Sequence, residues 1–416
     1  MPHQRTSFRW WIVALLFFIT WVNYIDRASI AYAIDGMALA FHWSSSDIGL
    51  ILGAFGLGYV VTTLLGGIAA DRYGAKRTLT LSVLFWGIAS LLMGISTGFF
   101  MVFVARIILG VAEGPNFPAL TRTVSDWLSE EERSRALSFS LVSVPLALAL
   151  GGPIVTQLIA AFSWRGAYFI LALVAFLWIP FWWFLFKDNP ADSSFVNQAE
   201  LAHIQKPETI PSKTMGSSHP WKVLLFDRTL LANNWAFFVF GYYLFFFMTW
   251  LPRYLHDQYH LDMTQIGFYS MAPWLCAAGM IWGVGVLSDN VFKKTGNLRL
   301  ARSYPIIITQ ALSAACIIPL LMVTQVFWAM VYVSLAVGFA MSANAVFYAV
   351  NIDVAKERAG TALGIMDAVF AVAGFLAPTL TGVLVSITGH YESAFVLLTG
   401  LALSSSLMTW HLHNKA

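Results

Sequence analysis

Charged side chains are scarce. Asp, Glu, Lys and Arg make up 11% of the 416 residues, against about 25% in a soluble globular chain, so water is not this chain's main solvent. Cysteine is nearly absent. Cys276 and Cys316 lie far apart, each inside an apolar run, and they form neither a disulfide framework nor a metal-ligand spacing. Both read as small core residues. There is no nucleotide-binding glycine loop, no metal-ligand cluster and no soluble stretch of useful size, so an enzyme would have no place for its chemistry. No cofactor and no metal is expected. The nine histidines fall mainly in loops and ends, where a solvated ring is the expectation, and none is assigned as a ligand. The net charge of +3 sits in a few loops and implies no nucleic-acid partner.

What is abundant is apolar: 58% of residues, recurring in stretches of about 20, the length that crosses a ~30 Å hydrocarbon layer at 1.5 Å per residue. Hydropathy predicts twelve spans near 10–32, 47–70, 78–96, 98–122, 133–160, 164–186, 229–252, 263–288, 303–322, 326–349, 358–386 and 391–411. Ala31-Tyr32-Ala33 imitates a signal-peptidase site, but the run before it is too long for a signal peptide and holds Asp26 and Arg27, so a retained first span is expected. The aromatic residues, among them Trp10, Trp11, Trp182, Trp183 and Trp250, are expected at membrane interfaces and on the lipid-facing surface.

A polar stretch rich in Pro, Ser and Lys separates the sixth and seventh spans, which predicts a six-helix bundle over 1–186, a linker over 187–228 and a second six-helix bundle over 229–416. Basic residues accumulate on one side of this arrangement: Arg5, Arg9, Arg72, Lys76, Arg77, Arg133, Arg135, the linker lysines, Lys293, Lys294, Arg299, Arg302, Lys356, Arg358 and Lys415. Only Arg165 and Arg253 fall opposite. The positive-inside bias therefore puts both termini and the linker in the cytoplasm. The two bundles also repeat. Gly67-Ile-Ala-Ala-Asp71 ends the second span and Gly285-Val-Leu-Ser-Asp289 the eighth, each before a basic cluster. Glu132-Arg133 and Glu357-Arg358 open the fifth and eleventh spans, each followed at equal spacing by a proline, Pro153 and Pro378. Such repeats are what an alternating-access transporter needs, because two similar bundles can rock about a site near the membrane midplane.

The loop Gly67-x-x-x-Asp71-Arg72-x-Gly74-x-Lys76-Arg77 resembles the signature loop of the major facilitator superfamily. There a small Gly67 would let helices pack closely, while Asp71, Asp289 and the basic residues could form a charge lock between bundles. Asn23-Tyr24-Ile25-Asp26-Arg27, together with Arg106-x-x-x-Gly110-x-x-Glu113-Gly114-x-x-Phe117-Pro118, resembles the anion:cation symporters within that superfamily. The resemblance implies proton-coupled transport of an organic anion such as a sugar acid, driven by the proton gradient, by a monomer in the inner membrane of a cell. It also implies that Asp26 and Glu113 carry protons while Arg27 and Arg106 bind substrate or pair with the carboxylates.

The residues can support that chemistry. Asp26, Arg27, Arg106, Glu113 and Asp367 are predicted within the hydrocarbon layer, where each charge costs roughly 2.5–3.5 kcal/mol or more and normally signals function. Arg106, Gly110 and Glu113 follow i, i+4, i+7 spacing and share one helix face. A carboxylate there can switch its protonation as its arginine partner moves, and a guanidinium can hold a substrate carboxylate with two parallel hydrogen bonds. The alternative is a structural network that only locks helices. Tyr24 and Tyr59 could hydrogen-bond a hydroxylated substrate, and Asn344, Tyr348, Asn233 and Asn234 could add polar contacts from the second half.

Two departures bear on the substrate. Asp367 stands where many sugar-acid symporters have an asparagine, which makes three acids against two bases and would repel a simple anion unless it is protonated or paired. It could be a third proton site, or it could recognise a zwitterionic, cationic or chelating substrate. Val144 and its neighbours in the fifth span also offer no glutamine of the kind that contacts the sugar in some relatives. An efflux antiporter is the chief rival reading, but Gly151-Gly152-Pro153 continues as Ile154-Val155-Thr156-Gln157 and completes no antiporter signature. A passive channel has no need of paired repeats and buried titratable groups.

Overall fold

The computed structural model describes residues 6–205, 222–355 and 359–413. Arg5, Lys206, Lys213, Lys356, Glu357, Arg358 and Lys415 lie outside them. Among the described residues there is no strand. The α-helices are α1 (Phe8–Phe41), α2 (Ser45–Tyr73), α3 (Ala75–Gly94), α4 (Phe99–Glu113), α5 (Asn116–Trp127), α6 (Glu130–Leu185), α7 (Gln198–Ile204), α8 (Lys222–Phe226), α9 (Arg228–Tyr259), α10 (Met263–Tyr269), α11 (Met271–Thr295), α12 (Tyr304–Ile317), α13 (Val326–Ser342), α14 (Asn344–Ala355), α15 (Ala359–Thr388) and α16 (Glu392–Leu412).

Eleven helical runs among the described residues are long and apolar enough to cross a membrane. One of them is too long for a single crossing. Residues Arg135–Leu185 run for 51 residues, roughly 75 Å of helix, more than twice the ~30 Å hydrocarbon layer. The run is interrupted at Ser163, whose φ of 62° and ψ of 171° are non-helical, so it divides into two spans and gives twelve among the described residues. The division falls between the two spans expected there. The protein is an integral, multi-pass membrane protein.

Helix boundaries follow local chemistry. Asp262 and Gln265 form a reciprocal capping box at the start of α10, and the Asp227 side chain accepts from Leu230 N at the start of α9, each satisfying amides that the first turn leaves without helical partners. Pro115, between α4 and α5, and Pro118, in the first turn of α5, lack the N–H groups that would continue the helical ladder of α4, and the break places Glu113 at the last position of α4.

Packing divides the chain into two compact units: Met1–Arg27, Gly58–Ala147 and Phe162–Gly216 form one, and Ala28–Leu57, Leu148–Ala161 and Ser217–Ala416 the other. In the second unit α9 carries an almost uninterrupted apolar run from Trp235 to Pro252, is buried over nearly all of it, and is covered by α13, α14, α15 and α16, as a helix segment without a polar stripe must be. Trp250 and Trp182 correct the interfacial expectation. Both are fully buried, because each indole N–H finds a backbone carbonyl: Trp250 Nε1 donates to Pro378 O at 3.1 Å and Trp182 Nε1 to Lys76 O at 3.3 Å. Trp11 and Trp183 are exposed, as expected. His413 is likewise not solvated, and His203 is only partly so. His413 is buried beside Ser303 Oγ, and His203 packs against Glu132 and Ser129. Cys276 and Cys316 are free and half-buried.

Candidate functional site

In the first unit α1 and α4 bring four buried charges together. Asp26 and Arg27 lie on α1; Arg106 and Glu113 lie on α4 with Gly110 between them, all buried as the shared helix face requires. Arg27 donates from Nε and Nη2 to Glu113 Oε2 at 3.0 and 2.9 Å, and Arg27 Nη2 also reaches Asn23 Oδ1 at 3.3 Å. Asp26 Oδ2 accepts from Ser90 Oγ of α3 at 2.6 Å. Arg106 lies within electrostatic reach of Tyr168, Glu113, Asp26 and Arg27. Two acids and two bases thus form a formally neutral cluster inside one unit, which is the condition for keeping ions away from water.

Tyr24 and Tyr59 take a role the sequence did not suggest. The Arg27 guanidinium carbon lies 4.5 Å from the Tyr24 ring centroid and 4.8 Å from that of Tyr59, so the two rings face the same cation, and a desolvated cation–π contact is worth about 2 kcal/mol or more. The rings fix the guanidinium and Glu113 fixes its donors. Sequence reasoning also missed Ser90, which carries no signal of its own in an apolar run.

In the second unit Asp367 of α15 is hydrogen-bonded by Tyr348 of α14, and Tyr348 is 38% exposed. Asn344 is half-buried at the first position of α14. Asn233 commits its amide nitrogen within the fold. It is fully buried, and its Nδ2 donates to Phe347 O at 3.0 Å, joining α9 to α14.

The signature loop is built differently from expectation in two respects. A Cβ added to Gly67 would meet nothing within 4 Å; the close approach falls one residue earlier, where a Cβ on Gly66 would lie 2.6 Å from Pro115 Cα. The face of α2 that meets the junction between α4 and α5 is thus shifted by one position. Asp71 pairs within its own unit, accepting from Arg122 Nη1 at 3.3 Å, while Arg122 Nε also holds Asp126 at 2.8 Å. In the second unit Asp289 accepts from Arg302 Nη1 at 3.1 Å, and Arg302 Nε reaches Asp353 at 3.2 Å. Gly74 has a φ of 82°, the left-handed region that side chains disfavour, and the Asp188 carboxylate lies against it. Asp188 Oδ1 accepts from Lys76 N at 2.8 Å and so caps α3 from the far end of α6. Arg72, Lys76 and Arg77 surround this turn. Lys76 lies 4.7 Å from the Trp183 ring centroid, and Arg72 and Arg77 are exposed.

A second buried ion cluster lies in the same unit. Arg9 of α1 holds Glu132 of α6 and Glu200 of α7, each at 2.8 Å. Glu200 also accepts from Phe8 N and Arg9 N at 3.1 Å. The hydrogen bond from Arg9 lowers the Glu132 carboxyl to about 2, so it is ionised at neutral pH.

Residues 16–301 match the family model described as Major Facilitator Superfamily. Over 409 residues the sequence is 33% identical to the "Probable sulfoacetate transporter SauU" of Cupriavidus necator, covering 97% of this chain and 94% of that protein. It is 31% identical to the "Hexuronate transporter" of Bacillus subtilis, covering 95% of this chain and 92% of that one. Among solved structures, a bacterial homolog to the human lysosomal transporter Spinster, in an inward-facing and occupied conformation, matches with a TM-score of 0.80 over 99% of this chain and 98% of that chain. At 14% identity that likeness is one of fold.

Proposed function

The chain belongs to the major facilitator superfamily, and we propose that it takes up a small organic anion, a sugar acid or other carboxylate, together with a proton. The observation that carries this reading is Arg27, held between two tyrosine rings and bonded to Glu113 through Nε and Nη2. A substrate carboxylate that takes the Nε and Nη2 donors of Arg27 must displace Glu113, and a buried carboxylate without its partner is costly unless it is protonated. Anion and proton then travel together. Asp26, beside Ser90, is the second proton site, and Arg106 shares the anion with Arg27.

Tyr348 and Asn344 of the second unit contribute polar recognition. Asp367 favours a second reading, because an acid held by Tyr348 repels a simple anion. It serves either as a third proton site or as the contact for a zwitterionic, cationic or carboxylate-chelator substrate, which could equally be exported by antiport. The protein acts as a monomer in the inner membrane of the cell, with both termini and the linker in the cytoplasm, as the basic bias of its loops requires. The repeated six-helix halves, 1–186 and 229–416, supply alternating access, and Asp71 and Asp289 exchange ion partners as they rock.

The test is uptake into proteoliposomes under an imposed inward proton gradient, screening sugar acids, other carboxylates, amino acids and carboxylate chelators. Gradient-driven accumulation of an acid supports the proposal. Accumulation of a zwitterion or cation alone, or transport under an outward gradient alone, replaces it with the second reading.

A further inference from the structure

An apolar groove of about 620 Å³ opens in the first unit between α2, α3 and α4. Its walls include Leu65, Ala69 and Tyr73 from α2, Leu81 and Phe85 from α3, and Val111 from α4, and Arg77 stands in its lining at one end. Leu65, Tyr73, Leu81, Phe85 and Val111 are all exposed large apolar side chains, so the groove is an open furrow on a surface of the kind that faces lipid.

Three features define what fits it. First, the serine and threonine hydroxyls in its walls are already used. Thr62 Oγ1 donates to Gly58 O at 3.1 Å, Thr78 Oγ1 to Gly74 O at 2.8 Å, and Ser82 Oγ to Ala112 O. A polar ligand would find none of these donors open to it, whereas an alkyl chain needs none. Second, the groove runs along α2 from Thr62 to Tyr73, which is roughly 16 Å of helix and about half of the ~30 Å hydrocarbon layer. It has the depth of one leaflet. Third, its charged end is basic. Arg77 is joined there by Arg72, whose guanidinium lies 5.6 Å from the ring centroid of Tyr73 in the groove wall, while Asp71 is engaged by Arg122 and Asp188 by the first turn of α3. The planar fork of an arginine matches a phosphodiester.

We propose that this groove binds one anionic phospholipid of the cytoplasmic leaflet, an acyl chain lying along α2 and the headgroup phosphate held by Arg77. The proposal rests on the cytoplasmic placement of the signature loop and is independent of the transported substrate. A bound lipid would pack against α2 and the Gly66–Pro115 contact at its back, so the lipid composition of the membrane would reach the signature loop directly.

Native mass spectrometry of the full chain in detergent, titrated with phosphatidylglycerol or phosphatidylcholine of identical acyl chains, tests this without any transport assay. The expected result is one phosphatidylglycerol retained in preference to phosphatidylcholine. Arg77→Gln should reduce that preference about fivefold, the weight of one basic residue at an anionic membrane surface. Ala69→Phe should fill the groove and abolish retention of both lipids. Val111→Phe fills it from an exposed position and serves if the first variant does not fold. Retention unchanged by a folded groove-filling variant would overturn the acyl-chain site, and a preference unchanged in Arg77→Gln would overturn the headgroup assignment.

Discussion

Arg27 spends two N–H groups on one oxygen of Glu113. Nε and Nη2 both reach Oε2, at 3.0 and 2.9 Å, while Oε1 has no hydrogen-bond partner among the described residues. Oε1 is therefore the oxygen able to take a proton without first breaking the pair. Glu113→Gln keeps the shape but not the titration. It should abolish proton-driven accumulation while leaving counterflow exchange of preloaded substrate. Intact proton-driven accumulation would make Glu113 structural and leave Asp26 as the proton site. Glu113→Ala should instead destabilise the protein by about 3–5 kcal/mol, because it leaves a buried guanidinium without its carboxylate, a loss readable in thermal melts.

Arg106 and Tyr59 separate binding from framework. Arg106→Ala should weaken binding of the transported acid roughly tenfold or more, the scale of a hydrogen bond to a charged group, in an equilibrium binding measurement; unchanged affinity removes it from the site. Tyr59→Phe keeps the ring over Arg27 and should leave affinity near wild type, whereas Tyr59→Leu removes the ring and should weaken it several-fold. If Tyr59→Phe alone lowers affinity, the hydroxyl contacts substrate.

Gly74 and Asp188 define the turn between α2 and α3. Gly74→Ala should destabilise by at least about 1–2 kcal/mol from the left-handed conformation alone, and a Cβ there would lie 2.6 Å from Asp188 Oδ2. Asp188→Ala removes the carboxylate from Lys76 N and should cost about 1 kcal/mol, as loss of a helix cap does. Melting temperatures of the two variants and of the pair check this. The double variant should lose less than the sum, because the two sites touch.

Acid should weaken the fold in two stages. Burial pushes His413 down to about 4 from an ordinary 6.5. Between those values the unfolded chain holds a proton that the folded one does not, so the stability from neutral His413 is complete above 6.5 and lost as pH falls toward 4. Glu132, lowered from 4.5 to about 2 by its bond to Arg9, contributes stability present above 4.5 and lost as pH falls toward 2. Melting temperatures at a series of pH values in detergent should decline through both windows. His413→Gln should flatten the first alone, and a decline unchanged in that variant assigns the first window to other groups.

Much of this architecture was legible in the sequence because apolar run length is set by the bilayer and little else. The spans, the division near Ser163 and the shared face of Arg106, Gly110 and Glu113 all follow from one-dimensional periodicity. The charged residues of the site were visible because an ion within an apolar run is costly and is seldom kept without a use. What was not legible depends on partners distant in the chain. Nothing in the sequence around residue 188 announces a cap for a helix that begins at 75, and nothing near Glu200 points to Arg9. Gly66 and Gly67 are adjacent and alike in sequence, and only the position of Pro115 decides which one is crowded. Tyr24 and Tyr59 were visible as aromatics, but whether ring or hydroxyl acts depends on where Arg27 points.

The burial of α9 bears on how the protein is made. Three of its polar side chains are bonded by segments that a ribosome supplies much later: Trp250 by Pro378 of α15, Tyr243 by Leu398 and Trp235 by Ser404 of α16. While α9 enters the membrane, those partners have not been translated, and its phenol and indole groups face hydrocarbon or the insertion machinery. The second half of the molecule can therefore reach its final packing only after the last helix has been delivered, and a chain truncated before α16 would leave one side of α9 uncovered, with Tyr243 and Trp235 without these partners.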